Sequence, residues 1–484
     1  MDSTSILLGG ALTVVLAALL VIQRKRVMFW AAFLLVFVPI DYIKRFYFEV
    51  PAILRWLPVL AIVGFALVAF LLMPHVRARI PQVIKGFWWA LLILAVLGMM
   101  ANEKSSFGQL VVSQRGYIML FGFMTIMKMV FEYYDKDQLF SFLLLAGMAS
   151  TCVAVLQRLI YVVILDYTGD RVTGLFSVDG IFVFYQLFCI CTAIVYWIYG
   201  RRIMPWFTNE QVLLVLLTSV IVCNDKAALI FLALLIVFVS FNVGFQQFWK
   251  SFGKIAGGFA LFAVVGIVFT AVYNSGYEGS ATEELSVVDY IENPENMRKY
   301  IFGGDHMYQK FTPAGQLLRG AAVEFAWKQI EKDPVTFWVG LGPSSTQHSN
   351  MPGAMGWVEE KFPGFTIGRV PLSMHLGEAG MLGVILNLAF LIAFYSWKPK
   401  DPAAEEPGYH LIRKAFVVLS IMYWIYENLY FEPMYMLVIA VMVYPNPLGV
   451  QRKRRAAAEL RYEQEQAARQ ARTDVQQPPV MSPS

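Results

Sequence analysis

The sequence predicts an all-α fold, a polytopic bundle of transmembrane helices carrying one large extracytoplasmic loop that contains short helices. Three observations predict it. Of 484 residues, 58% are hydrophobic and only 15% charged, where an average soluble domain carries roughly 25% charged residues. Apolar runs of about 20 residues, enough to cross roughly 30 Å of hydrocarbon, recur along the whole chain, as at Ser5 to Ile22, Trp56 to Met73, Ala227 to Phe245 and Met374 to Trp397. Basic clusters fall in alternate connections between those runs.

The runs give about thirteen spans. The first has no basic segment before it and Arg24, Lys25 and Arg26 after it, the pattern of a retained anchor rather than a cleaved signal peptide. The positive-inside rule then puts Arg24/Lys25/Arg26, Arg77/Arg79/Lys85, Lys128/Lys136, Arg201/Arg202, Lys250/Lys254, Lys398/Lys400/Arg413/Lys414 and the cluster from Arg452 in the cytoplasm, with the N-terminus outside. The short runs at 27–41 and 429–445 can also be read as re-entrant, which would shift the count by one or two. The chain divides into N-terminal transmembrane helices (1–273), a large extracytoplasmic loop (274–371), C-terminal transmembrane helices (372–450) and a cytoplasmic basic tail (451–484), read as disordered or as a membrane-surface helix.

The loop is too long for a connector. Its first part is acidic, and Ala314 to Lys332 has helical spacing that stops at Asp333-Pro334. At 100° per residue, Arg319 falls with Ala322, Val323, Ala326 and Ile330, while Glu324, Lys328, Glu331 and Lys332 gather opposite. An arginine on an apolar face either snorkels at the lipid surface or aims its guanidinium into a cavity where the fork holds a phosphate. Arg171 and Lys226 reach the same outer face by topology. Lys226 lies between two apolar runs, where an ionisable group costs on the order of 3 kcal/mol unless paired or hydrated; Asp225 and Asp179 are candidate partners, and a substrate contact is the other reading. His375 opens the last long span, and Glu378 follows at i+3, beside it on a helix. Together they can form a general-base pair, although a lone histidine is more often a polar group satisfied at an interface. Gly377, Gly380 and Gly383 permit close helix approach. Cys152, Cys189, Cys191 and Cys223 lie inside apolar runs, so neither a disulfide framework nor a zinc site is indicated, and no metal cluster or cofactor-binding loop is evident.

The order of these pieces resembles the bacterial O-antigen ligase and O-antigen polymerase superfamily over roughly residues 150–395. The motifs are Arg171-Val-Thr-Gly-Leu-Phe176, then Asn224-Asp225-Lys226-Ala-Ala-Leu before a span, then the arginine-led helix from Arg319 with Pro334 and Gly340-Leu-Gly342-Pro343, and last His375, Glu378, Gly380 and Gly383. Two departures stand out. The family's usual Ser-Arg step is Asp225-Lys226, which keeps the charge and loses the fork, and its Pro-Asn is Asp179-Gly180.

What the resemblance implies is a metal-independent glycosyltransferase of the bacterial inner membrane, with its site facing the periplasm or exterior and no cofactor. Its partners would be a polyprenyl-pyrophosphate-linked glycan as donor, a glycan acceptor, membrane lipid and other polysaccharide assembly proteins, with no nucleic acid. Arg319, Arg171 and Lys226 are then expected to bind the pyrophosphate. His375 is expected to orient or deprotonate the acceptor hydroxyl, with Glu378 supporting the imidazole. A polymerase of cell-surface or secreted polysaccharide is the favoured member, a ligase the alternative. The rival from another class is a transporter of polysaccharide or lipid-linked glycan, which would place charge mid-membrane and show an internal repeat.

Overall fold

The computed structural model describes residues 3–22, 24–37, 57–72, 80–130, 132–164, 172–176, 178–223, 225–277, 293–303, 310–311, 316–348, 355–399, 406–443, 446, 448–451, 455, 458–459 and 461–467. These residues are helical throughout their regular structure. In chain order the helices are α1 (Ser3–Val21), α2 (Lys25–Phe37), α3 (Leu57–Leu72), α4 (Gln82–Ala101), α5 (Phe107–Val130), α6 (Lys136–Ile164), α7 (Asp179–Ile198), α8 (Asn209–Cys223), α9 (Lys226–Asn242), α10 (Phe245–Lys250) and α11 (Phe252–Tyr277). The hydrophilic insertion contributes α12 (Pro294–Phe302), α13 (Arg319–Ile330), α14 (Pro334–Val339) and α15 (Trp357–Lys361). The bundle resumes with α16 (Pro371–Ser396), α17 (Pro407–Met422) and α18 (Pro433–Val443).

Among the described residues, 6 helices are long and apolar enough to cross a membrane: α4, α5, α6, α7, α16 and the helical stretch that begins with α18. Apolar helices of 10–17 residues lie within α1, α3, α8, α9 and α11. The expected apolar runs coincide with α1, α3, α9 and α16 to within a few residues. Of the short run at 27–41, the part to Phe37 is helix α2 and the rest lies outside the described residues, as do 468–484 of the tail. Within the tail, 461–467 form an exposed helix.

α7 is the central helix, with most of its side chains buried, packed against α8, α9 and α17. Burial on every side explains its continuous apolar sequence, since it presents no polar face. Around it the connections sort into two faces. At one, Asp137 accepts hydrogen bonds from Tyr196 Oη at 2.5 Å and Tyr409 Oη at 2.7 Å and pairs with Arg201. Nearby, Lys136 Nζ donates to Met442 O at 2.8 Å and Lys254 Nζ donates to Trp197 O at 2.8 Å. Lys136, Arg201 and Lys254, each from a different predicted basic connection, meet at this face. At the other, Asn102 Nδ2 donates to Leu341 O at 2.9 Å and Gln109 Nε2 to Met355 O at 2.6 Å, so the hydrophilic insertion folds onto the ends of α4 and α5.

The insertion has a small core of its own, where Ala326, Ile330, Leu341, Val358, Ile367 and Leu376 are buried together. α13 begins at Arg319 rather than at Ala314; residues 312–315 lie outside the described set. The predicted face holds: Ala322, Ala326 and Ile330 are buried, whereas Lys328, Glu331 and Lys332 are exposed. Asp333 ends this segment by capping α14, accepting from Thr336 N at 2.9 Å, with Pro334 in the first turn.

α16 is broken at Gly380, where φ is 61° and ψ −161°. The break has a partner. Leu341 N donates to Gly377 O at 2.7 Å, so the carbonyl released from the helical ladder is satisfied by the insertion, the condition under which a broken helix is tolerated at membrane depth. Gly380 is required twice over: its φ lies in the left-handed region, and a Cβ there would sit 2.6 Å from the Trp338 carbonyl carbon.

Candidate functional site

The site forms where the insertion, the start of α16 and the turn between α17 and α18 meet. The turn is Tyr423-Trp-Ile-Tyr-Glu-Asn-Leu-Tyr-Phe-Glu432. Short polar and aromatic residues interrupt two apolar runs here, leaving backbone groups and side chains available to neighbours.

Arg319 is the first residue of α13. Its Nε donates to Tyr426 O at 3.1 Å, and its Cζ stands 4.0 Å from the Tyr426 ring centroid, a cation–π distance. The Tyr426 hydroxyl in turn donates to Asp225, which caps α9 by accepting from Ala227 N at 2.9 Å. Burial pushes the Asp225 carboxyl above its ordinary range, against the Tyr426 hydrogen bond. Tyr426 therefore links the arginine of one motif to the Asp-Lys step of another.

Arg369, in the short 3-10 turn Ile367–Arg369, donates from Nε to Glu427 Oε2 at 2.9 Å and from a terminal nitrogen to Gln316 Oε1 at 3.0 Å. Burial pushes Glu427 up, and Arg369 pulls it back. Asp179 and Arg319 lie close enough for their charges to act on both Arg369 and Glu427. Gly180, the second residue of the Asp179-Gly180 departure, gives Glu427 its room: a Cβ there would lie 2.9 Å from Glu427 Cγ.

His375 borders the same turn. Its ring meets Tyr430 edge-on at 4.8 Å and Trp424 at 6.3 Å, and Trp424 Nε1 donates to Tyr430 Oη at 3.0 Å. Its Nδ1 lies 3.3 Å from Asn387 Nδ2.

Glu378, expected to support His375, instead binds the insertion. Glu378 accepts from Ser344 N at 3.1 Å, Thr346 Oγ1 at 2.8 Å and Gln347 Nε2 at 2.9 Å. A buried carboxylate takes as many donors as it can reach, and the insertion supplies them. Glu378 thus pins the loop 344–347, where Ser344 has φ 52°, and the imidazole's contact on its own helix is Asn387.

The remaining expected residues are placed in part. Lys226 is the first residue of α9, beside the Asp225 cap, with its side chain outside the described set. Arg171 lies outside the described residues. The Thr-Gly that follows it is held by Gln157, whose Oε1 accepts from Thr173 N and Gly174 N at 2.9 Å each and whose Nε2 donates to Gly174 O at 2.8 Å. That part of the motif is a backbone anchor on α6.

Sequence reasoning missed Arg369, Tyr426, Glu427 and Asn387. The signal for the first three was present: an arginine two residues before the last long span, and a polar-aromatic break in an apolar stretch. Among the described residues no group of His, Cys, Asp or Glu could hold a metal ion. No protein-family model, curated protein or solved structure matches this chain.

Proposed function

We propose that this chain is a membrane glycosyltransferase that polymerises polyprenyl-pyrophosphate-linked oligosaccharide repeat units into a cell-surface or secreted polysaccharide. The observation that carries the reading is the convergence of Arg319, Arg369 and His375 on one polar-aromatic turn, at the face where the hydrophilic insertion folds. Two guanidiniums suit a diphosphate, whose oxygens accept from their forks. A pyrophosphate that gains charge as it departs is stabilised by fixed cations more than the bound substrate is, and that difference is what accelerates reaction. Glu427 holds Arg369 directly and Asp225 holds Arg319 through Tyr426 before substrate arrives, so an incoming diphosphate exchanges one set of acceptors for another. His375 contacts the reacting oxygens, and Glu378 acts through the loop 344–347 it fastens.

Charge segregation supports the sidedness. Lys136, Arg201 and Lys254 meet at the face of Asp137, which the positive-inside rule makes cytoplasmic; the site then faces the periplasm or exterior of a bacterial inner membrane, and about thirteen crossings complete the bundle. Arg171 and Lys226 belong to the same pyrophosphate-binding set. The reaction needs no cofactor. Removal of the protein from its host is expected to cause lipid-linked single repeat units to accumulate on the outer leaflet and long polymer to disappear. Single repeat units confined to the cytoplasmic leaflet, or completed polymer inside the cell, would instead indicate a transporter, and long chains left on the lipid carrier a ligase.

A further inference from the structure

The break in α16 brings together two residues that a continuous helix would separate. His375 and Asn387 are 12 positions apart, about 18 Å along a straight helix. Across the kink at Gly380 they are in contact: Asn387 Nδ2 stands 3.3 Å from His375 Nδ1 and donates to Gly383 O at 2.8 Å. Both side chains are buried, Asn387 completely and His375 to within 7%. Among the described residues the buried His375 Nε2 has no hydrogen-bond partner.

This geometry fixes the imidazole's protonation pattern. The Gly383 carbonyl only accepts, so the end of the Asn387 amide against it is the NH2 group, and the same nitrogen turns its second proton toward His375. A ring nitrogen that faces an N–H donor must offer its lone pair. The neutral ring then carries its proton on Nε2, whereas an Nδ1–H tautomer or an imidazolium would set two N–H groups against each other. A histidine in the Nε2–H form is a donor on its unpartnered side and has no lone pair there to accept a proton.

We propose that Asn387 is a positioning residue that holds His375 as the Nε2–H tautomer, so that His375 donates a hydrogen bond to the departing pyrophosphate instead of deprotonating the acceptor. The proposal rests on the glycosyltransferase reading above and reverses the base role that the sequence suggested for this histidine. In the step it describes, the bond between the anomeric carbon and the pyrophosphate oxygen breaks with its electron pair going to that oxygen, which the Nε2–H stabilises. The acceptor hydroxyl oxygen bonds to the anomeric carbon, and the proton it sheds passes to the departing pyrophosphate.

The test has two parts on the full-length protein in lipid bilayers. Nitrogen-15 NMR of histidine-labelled protein, with the His375 signals identified by their loss in His375→Gln, is expected to show the proton on Nε2; in Asn387→Asp the carboxylate draws the proton to Nδ1. A wild-type signal from Nδ1–H overturns the proposal, whatever the enzyme does. Single-turnover rates with a polyprenyl-pyrophosphate-linked oligosaccharide form the second part. His375→Ala, losing a hydrogen bond to a charged group, should slow by about 10-fold to 150-fold, while His375→Gln keeps an N–H donor and should stay within about tenfold of wild type. A glutamine variant as slow as the alanine variant at saturating donor overturns the donor role, since a base would be lost equally in both. A wild-type protein that turns over no lipid-linked glycan would remove the glycosyltransferase reading, and the NMR result would still decide the tautomer.

Discussion

Removing one or the other partner of the Arg369–Glu427 ion pair should have unequal consequences. The two lie 2.9 Å apart, but the arginine side chain is 37% exposed and the glutamate 8%. Arg369→Ala therefore strands a buried carboxylate, and one-sided loss of a buried pair costs about 3–5 kcal/mol. Glu427→Gln leaves a guanidinium that water reaches and that keeps its 3.0 Å contact to Gln316; solvent screening brings that loss into the surface-pair range of about 0.2–1 kcal/mol. The double variant has no stranded charge and should regain most of what Arg369→Ala loses. Burial raises the Glu427 carboxyl above its ordinary value of 4.5, with Arg369 opposing. A carboxyl raised in the folded state holds its proton to higher pH than in the unfolded chain, so its contribution is fullest below 4.5 and falls as pH rises through the raised value. Arg369→Ala, without the opposing charge, should steepen that fall. Denaturant unfolding of the purified variants in detergent micelles across this pH range measures each effect. Equal losses for the two single variants, or a double variant no better than Arg369→Ala, would refute the reasoning.

Three further outcomes are expected. Arg319→Lys, which keeps charge but cannot both cover the Tyr426 ring and present a planar fork, should lower polymer output by about tenfold or more at normal protein abundance; normal output from this variant and from Arg319→Ala, read on gels of extracted polysaccharide, would return the residue to a snorkelling role. Gly380→Ala, at φ 61° with its Cβ 2.6 Å from Trp338 backbone, should destabilise by about 1–3 kcal/mol for the strain alone, and an unchanged unfolding midpoint would mean that the break is not as described. In cells whose only cysteine replaces exposed Glu331 or exposed Glu463, an impermeant maleimide should label the first and spare the second; the reverse would put the site in the cytoplasm.

Helices were legible because bilayer-length apolar runs leave the backbone little alternative, and α13 was legible because its buried positions Ala322, Ala326 and Ile330 repeat at helical spacing. The internal wiring of the site was not. The spacing of His375 and Glu378 correctly makes them neighbours on one turn, yet the carboxylate goes to Ser344, Thr346 and Gln347, 31–34 residues away. No local period reports such a contact. Gly377, Gly380 and Gly383 were read as a surface for another helix. At Gly377 the insertion approaches, where a Cβ would lie 2.6 Å from Thr346 Cγ2, while at Gly380 and Gly383 the neighbours are on helices, Trp338 of α14 and Leu94 of α4. The partnership of His375 with Asn387 depends on the break at Gly380, and a glycine in an apolar span is ambiguous until the residues pressed against it are known. Arg369 and Glu427 escaped notice because each sits at the edge of a span, where a charge has an ordinary explanation at the interface.

The most direct measurement of the central claim is reconstitution of the purified protein into liposomes with a polyprenyl-pyrophosphate-linked oligosaccharide as the only glycan. The account predicts a ladder of products growing by one repeat unit, free polyprenyl pyrophosphate released in step with each addition, and loss of both in Arg319→Ala. Unchanged glycan with no released pyrophosphate, or a ladder that Arg319→Ala leaves intact, would contradict it.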